Sequence, residues 1–155
     1  MSSTAPAPAP ERAHLAARHL VFGWRALAFF LAIGLVLETL HGFKLEWYLG
    51  VEHESRRLLL RLAHTHGTLL GLVHLAFAFT LRGVSGAAGR RELLASKALT
   101  AATALLPLGF LAGGLVLVGP DPNPLVLLAP VGGLLLLLAV LWIAGFARDS
   151  SRGSG

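Results

Sequence analysis

Four long apolar runs dominate the sequence, at residues 20–40, 58–81, 96–118 and 125–146. A bilayer's hydrocarbon core is ~30 Å thick and takes about 20 apolar residues of helix to cross. Inside hydrocarbon each backbone N–H and C=O has to be satisfied within its own segment, so runs of this length are helices. The chain is therefore expected to be all-α, an integral membrane four-helix bundle with short loops and antiparallel neighbours. Charged residues are 14% of the chain, whereas soluble domains carry about a quarter. No cysteine is present, which excludes a disulfide framework, a thiolate metal site and a cysteine nucleophile.

The four runs form one expected domain, residues 20–147, with tails at 1–19 and 148–155. Ala and Pro alternate near the amino terminus, a pattern that favours extended, solvated chain. The tail 1–19 is expected to be disordered and 148–155 to be a short polar tail. The apolar run that follows the first tail is too long for a signal peptide and no clear cleavage site ends it. Between the first two runs, residues 41–57 are polar. Trp47 and Tyr48 there suit an interfacial aromatic belt, and the segment can lie on the membrane surface as a short amphipathic helix. Pro107 falls inside the third run, where a lost backbone hydrogen bond predicts a kink. Gly67 with Gly71, and Gly109 with Gly113, allow close helix approach and read as packing within one bundle.

The net charge of +5 would suit nucleic acid, but the basic residues sit between the apolar runs, where they set topology. Arg12, Arg18, Arg25, Arg82, Arg90, Arg91, Lys97, Arg148 and Arg152 fall on one side, against Lys44, Arg56, Arg57 and Arg61 on the other. Short loops rich in Lys and Arg stay in the cytoplasm, so both termini are expected to be cytoplasmic. Nucleic acid is not an expected partner. The expected partners are the lipid bilayer and either other membrane subunits or further copies of the chain. Leu, Ala, Gly and Arg dominate and only two lysines occur, a composition that points to a bacterial inner membrane.

The second run carries Arg61, His64, His66 and His74. Ionisable groups are costly in hydrocarbon and by default face the bundle interior and mark a site. Glu38 and His41 close the first run, three residues apart and hence on one helix face. With ~100° and ~1.5 Å per residue, Arg61 and His64 share a face, while His64 and His66 point ~200° apart and cannot ligate one metal together. Antiparallel packing brings Glu38, His41, Arg61 and His64 towards the outer face, with His66 and His53 within reach of the group. His74 lies deeper, in the cytoplasmic half, level with Arg25.

Neutral imidazole is the commonest metal ligand and a usual axial ligand of haem iron. A carboxylate such as Glu38 can hold the second ring nitrogen of a ligating histidine, and Arg61 can pair with a haem propionate. The candidate cofactor-binding set is therefore His41, His64, His66, His74, Arg61 and Glu38. For copper or another transition metal, the candidate ligands are His41, His64 and His66. Plainer readings stand beside these. Glu38 and Arg61 can be a salt bridge tying two helices, His74 can bond a neighbouring carbonyl, and His14, His19 and His53 read as flanking surface groups.

Arg61-Leu-Ala-His64-Thr65-His66 resembles the start of the low-spin-haem helix in catalytic subunits of haem-copper oxidases and nitric oxide reductases. The resemblance covers about ten residues and implies His64 as an axial ligand of b-type haem. The chain departs from that family elsewhere, because the third and fourth runs contain no histidine. A complete oxidase or reductase centre is thereby excluded, and a second ligand would be His41, His19 or a histidine of another subunit. The Ala-His-Thr-His stretch also resembles small bacterial four-helix membrane proteins, which implies no activity. Neither G-x-S-x-G nor H-E-x-x-H occurs, so hydrolase chemistry has no support. Three functions follow: a haem- or metal-binding electron-transfer or accessory protein, a non-catalytic subunit or assembly partner of a larger membrane complex, and a small transporter or proton pathway.

Overall fold

The computed structural model describes residues 10–84, 88–118 and 121–152. Four helices are long and apolar enough to cross a membrane: α1 (Pro10–Gly42), α3 (Glu54–Arg82), α4 (Arg90–Leu115) and α5 (Leu128–Arg152), with the short helix α2 (Glu46–Leu49) between the first two. They pack in chain order, α1 along α3, α3 along α4 and α4 along α5. A two-stranded ribbon, β1 (Leu117–Val118) with β2 (Asp121–Pro122), joins α4 to a 3-10 turn at Pro124–Leu127 that leads into α5.

The helices overrun the apolar stretches at several ends. The tail expected to be disordered through residue 19 is helical from Pro10, and residues 1–9 lie outside the described chain. Proline is tolerated in a first turn, where its missing N–H has no partner to lose, and Glu11 complements the helix dipole there. Burial of Arg12, Leu15, Ala16 and His19 holds these turns on the bundle. Likewise α4 starts at Arg90 rather than 96, where the Glu92 carboxylate accepts from the Gly89 N–H. The polar connection 41–57 gives its first two residues to α1 and its last four to α3; between them lie the four-residue α2 and a 3-10 turn at Val51–His53.

At its other end α1 stops in a Schellman motif. Leu45 N–H donates to Leu40 O at 3.1 Å and Lys44 N–H to His41 O at 3.1 Å. The left-handed residue is Lys44, with φ 52°, not the nearby Gly42. A non-glycine there costs about 1–2 kcal/mol, and the motif turns the chain back towards α3.

The α1–α3 seam is built on one residue in every three or four. On α1 it runs His19, Gly23, Leu27, Phe30, Gly34 and Leu37. On α3 it runs Leu60, Ala63, Gly67, Leu70, Gly71 and His74. The glycines take large neighbours: the Phe30 ring covers Gly67, and a methyl on Gly71 would meet Leu27 Cγ at 2.9 Å. Gly109 plays the same part against α5, where a methyl would meet Ala129 N at 2.7 Å. Both G-x-x-x-G pairs thus serve packing inside this chain. Trp24, Phe29, Leu134 and Leu141 remain exposed on the outside.

Candidate functional site

The side chains gather into two polar groups at opposite ends of the α1–α3 seam. The first is a pocket of about 580 Å³ at the end nearest α2, lined by Glu38, His41, Tyr48, Arg57, Arg61, His64 and Thr65, with Leu31, Gly34, Leu35 and Leu37 as its apolar wall. Glu38 and His41 come from the last turns of α1, and Arg57, Arg61 and His64 from the first turns of α3. Gly34 opens the space in which the His64 ring sits, since a Cβ on Gly34 would overlap that ring.

Hydrogen bonding fixes the form of His64. Its Nδ1 lies 2.7 Å from Phe30 O, and a carbonyl can only accept, so Nδ1 carries the proton. In the neutral ring the lone pair is then on Nε2, which has no hydrogen-bond partner among the described residues. This is the tautomer and support that a ligating imidazole uses. Arg57 Nη1 donates to the carbonyls of Tyr48, Leu49 and Gly50 at 3.3, 2.9 and 3.0 Å. It thereby stitches α2 to α3 and holds a fixed positive charge in the wall. Among the described residues the side chains of Glu38, His41 and Arg61 make no hydrogen bond or ion pair, so no salt bridge ties Glu38 to Arg61. Burial pushes the Tyr48 phenol above its usual range, against the pull of Arg61 and Arg57, which keeps it a neutral donor. Two arginines and one glutamate leave the pocket positive, suited to a ligand with an anionic group.

Two of the candidate residues lie elsewhere. His66 donates from Nδ1 to Leu62 O at 2.9 Å and turns its ring towards Phe110 on α4, with centroids 5.2 Å apart. The ~200° step from His64 has carried it off the pocket. His41, His64 and His66 therefore do not assemble as a metal triad, and no group of three or more His, Asp or Glu suited to a metal ion occurs among the described residues. His53 sits in the 3-10 turn with its Nε2 3.7 Å from Glu52. His14 is exposed.

His74 belongs to the second group, and so does His19, which is not the flanking surface residue that its position suggests. Both are buried, at 0% and 2% exposure. Their Nδ1 atoms are 2.6 Å apart, and the rings meet edge to edge, with centroids 4.8 Å apart and 20° between their planes. His74 Nε2 lies 2.9 Å from Thr103 Oγ1, and His19 Nε2 lies 2.7 Å from Ser96 Oγ. All four ring nitrogens are engaged, so His74 has no lone pair left for a cofactor. Phe77 and Phe22 close the sides of the pair. Beyond it, Arg12 is ion-paired with Glu92 and donates to Val84 O at 3.1 Å.

One signal in the sequence marks His19. It stands four residues before Gly23 and three after Ala16, on the buried stripe of α1, whereas hydropathy alone places it in a flank. Between the two groups the seam is filled, with Phe30 over Gly67 and Leu27 against Gly71. Compared with known protein families, with curated proteins and with solved structures, the chain matches none.

Proposed function

We propose that the chain is a multi-pass protein of a bacterial inner membrane, with both termini in the cytoplasm. In this reading the α1–α3 pocket binds b-type haem in an electron-transfer or accessory role. The observation that carries the reading is the state of His64. It is an imidazole whose Nδ1–H is spent on a backbone carbonyl and whose Nε2 is free, in a pocket of about 580 Å³. That volume is within the ~300–1,000 Å³ of small-molecule and cofactor sites. His64 would ligate the haem iron through Nε2. Arg61, with no hydrogen-bond or ion-pair partner among the described residues, would take a propionate, and Arg57 would add fixed positive charge. His41, in the same pocket, is the candidate second ligand, and Glu38 the group that orients it. Bound haem supplies one-electron chemistry at a potential set by its ligands and their surroundings. A transporter that links the pocket to His74 is disfavoured, because Phe30 and Leu27 fill the seam between them.

The test is the visible spectrum of the purified chain, oxidised and dithionite-reduced, from haem-replete cells. The expected result is a sharp reduced α-band that His64→Ala abolishes and His66→Ala retains. A colourless wild-type protein, or a band that survives His64→Ala, overturns the reading.

A further inference from the structure

Helices α1 and α4 both pack on α3 and leave a groove between them. The part nearer the histidine pair has a volume of about 370 Å³, with Phe22, Arg25 and Phe29 of α1 on one side and Thr103, Ala104 and Leu108 of α4 on the other. Phe29 also lines the next part, of about 490 Å³, which continues past Val36 to Trp47, Leu111 and Leu115. Among the described residues no carboxylate lines either part, and Arg25 is the one cation in an otherwise apolar wall.

Two further cations stand at the mouth. At ~100° per residue, Arg18 lies on the Phe22–Arg25–Phe29 stripe of α1, and Lys97 lies on the Ala104–Leu108–Leu115 stripe of α4. Arg18 reaches across to α4, where its Nη2 donates to Ser96 Oγ at 3.2 Å, beside Lys97 in the chain. Arg18, Arg25 and Lys97 are all exposed. Arg25 and Lys97 have no hydrogen-bond or ion-pair partner among the described residues. The nearest carboxylates do not neutralise them. Glu92 is ion-paired with Arg12, and Glu11 on α1 is ~20 Å of helix rise from Arg25.

A cation within a membrane span is costly without an anionic partner. A guanidinium pairs with phosphate through two parallel hydrogen bonds, and basic pockets between membrane helices take anionic lipid headgroups. A second copy of the chain fits the groove poorly, because the four apolar runs contain a single carboxylate, Glu38, and it lines the other pocket. We propose that the α1–α4 groove holds one anionic phospholipid, with its phosphate among Arg18, Arg25 and Lys97 and one acyl chain along the groove past Phe29. Half of the ~30 Å hydrocarbon core is ten residues of helix rise, which carries the chain from Arg25 to the level of Leu35. This site rests on the membrane-spanning part of the proposed function and is independent of the haem.

The test is native mass spectrometry of the full-length protein, stripped of lipid in a nonionic detergent. Dioleoyl phosphatidylglycerol is titrated against dioleoyl phosphatidylcholine, which has the same chains and no net charge. The expected result is one phosphatidylglycerol per chain, held at least tenfold tighter than phosphatidylcholine. Arg25→Gln and Lys97→Gln each weaken it about fivefold, the worth of one juxtamembrane cation. Lys44→Gln removes the same charge at the far end of the bundle and leaves it unchanged. Leu108→Trp, which fills the groove without altering charge, weakens both lipids. Equal affinity for the two lipids in the unmodified chain overturns the site, with no variant required to fold. So does a preference that survives the double variant Arg25→Gln, Lys97→Gln, or a lipid-free dimer that Leu108→Trp splits, since the groove would then hold a second copy. Carbonate extraction separates the two readings. A chain that stays in the membrane without the lipid preference loses this site alone, whereas a chain that carbonate removes loses the membrane reading as well.

Discussion

His64 keeps its place because Gly34 has no side chain. The ring lies where a Cβ on Gly34 would fall, and that position lets Nδ1 reach Phe30 O. Gly34→Ala raises intrinsic helix propensity by about 1 kcal/mol yet drives the ring away and breaks its carbonyl bond. The expected result is unchanged helical circular dichroism with at least tenfold weaker haem retention, measured by haem transfer to an acceptor protein. Haem retention equal to wild type would mean that Gly34 does not position the ligand. At this scale the sequence is informative where helix spacing alone decides. The three-residue steps Glu38–His41 and Arg61–His64 put each pair on one face, and all four side chains line one pocket. Rotation about the helix axis decides the rest. His66 and His74 read as intramembrane histidines just as His64 does; the ~200° step turns His66 away from His64, but packing sets what each meets, Phe110 for His66 and His19 for His74.

Among the elements, α1 departs most from its apolar run. Hydropathy locates the middle of a membrane helix, because lipid selects apolar residues there. It is blind to turns that polar contacts extend into water. The first turns of α1 are of that kind, with Arg12 buried against Glu92 and the Val84 carbonyl. Such a pair has no signature in either segment alone, since its members are eighty residues apart. Glu92→Gln removes the carboxylate of a buried ion pair, which costs about 3–5 kcal/mol. Unfolding in detergent should show a loss of that order. The double variant Arg12→Met, Glu92→Met should recover most of it, because a well-packed apolar pair often matches a buried ion pair. A single variant as stable as wild type would show that the amino-terminal turns of α1 do not depend on the contact.

For the whole molecule, the side of the membrane on which the pocket opens decides what can reach it. The antiparallel order puts the pocket and α2 at one end of the seam and both the histidine pair and the chain's amino-terminal turns at the other. One topology assignment therefore orients both sites. The basic residues of the termini and of the loop before α4 outnumber those between α1 and α3, and positive segments stay in the cytoplasm. On that count the pocket is expected to face the outer side, and the buried histidine pair to lie towards the cytoplasmic end. The chain has no cysteine, so single cysteines report without background. Val51 is 87% exposed beside the pocket end, and Val51→Cys in intact cells should react with a membrane-impermeant maleimide. Ser2→Cys and Ser154→Cys should react only after the inner membrane is permeabilised. The reverse pattern would turn both groups over together, placing the pocket at the cytoplasmic face and the histidine pair towards the outer one. Labelling of Ser2→Cys and Ser154→Cys from opposite sides would break the four-span arrangement itself, since an even number of crossings returns the chain to the side it left.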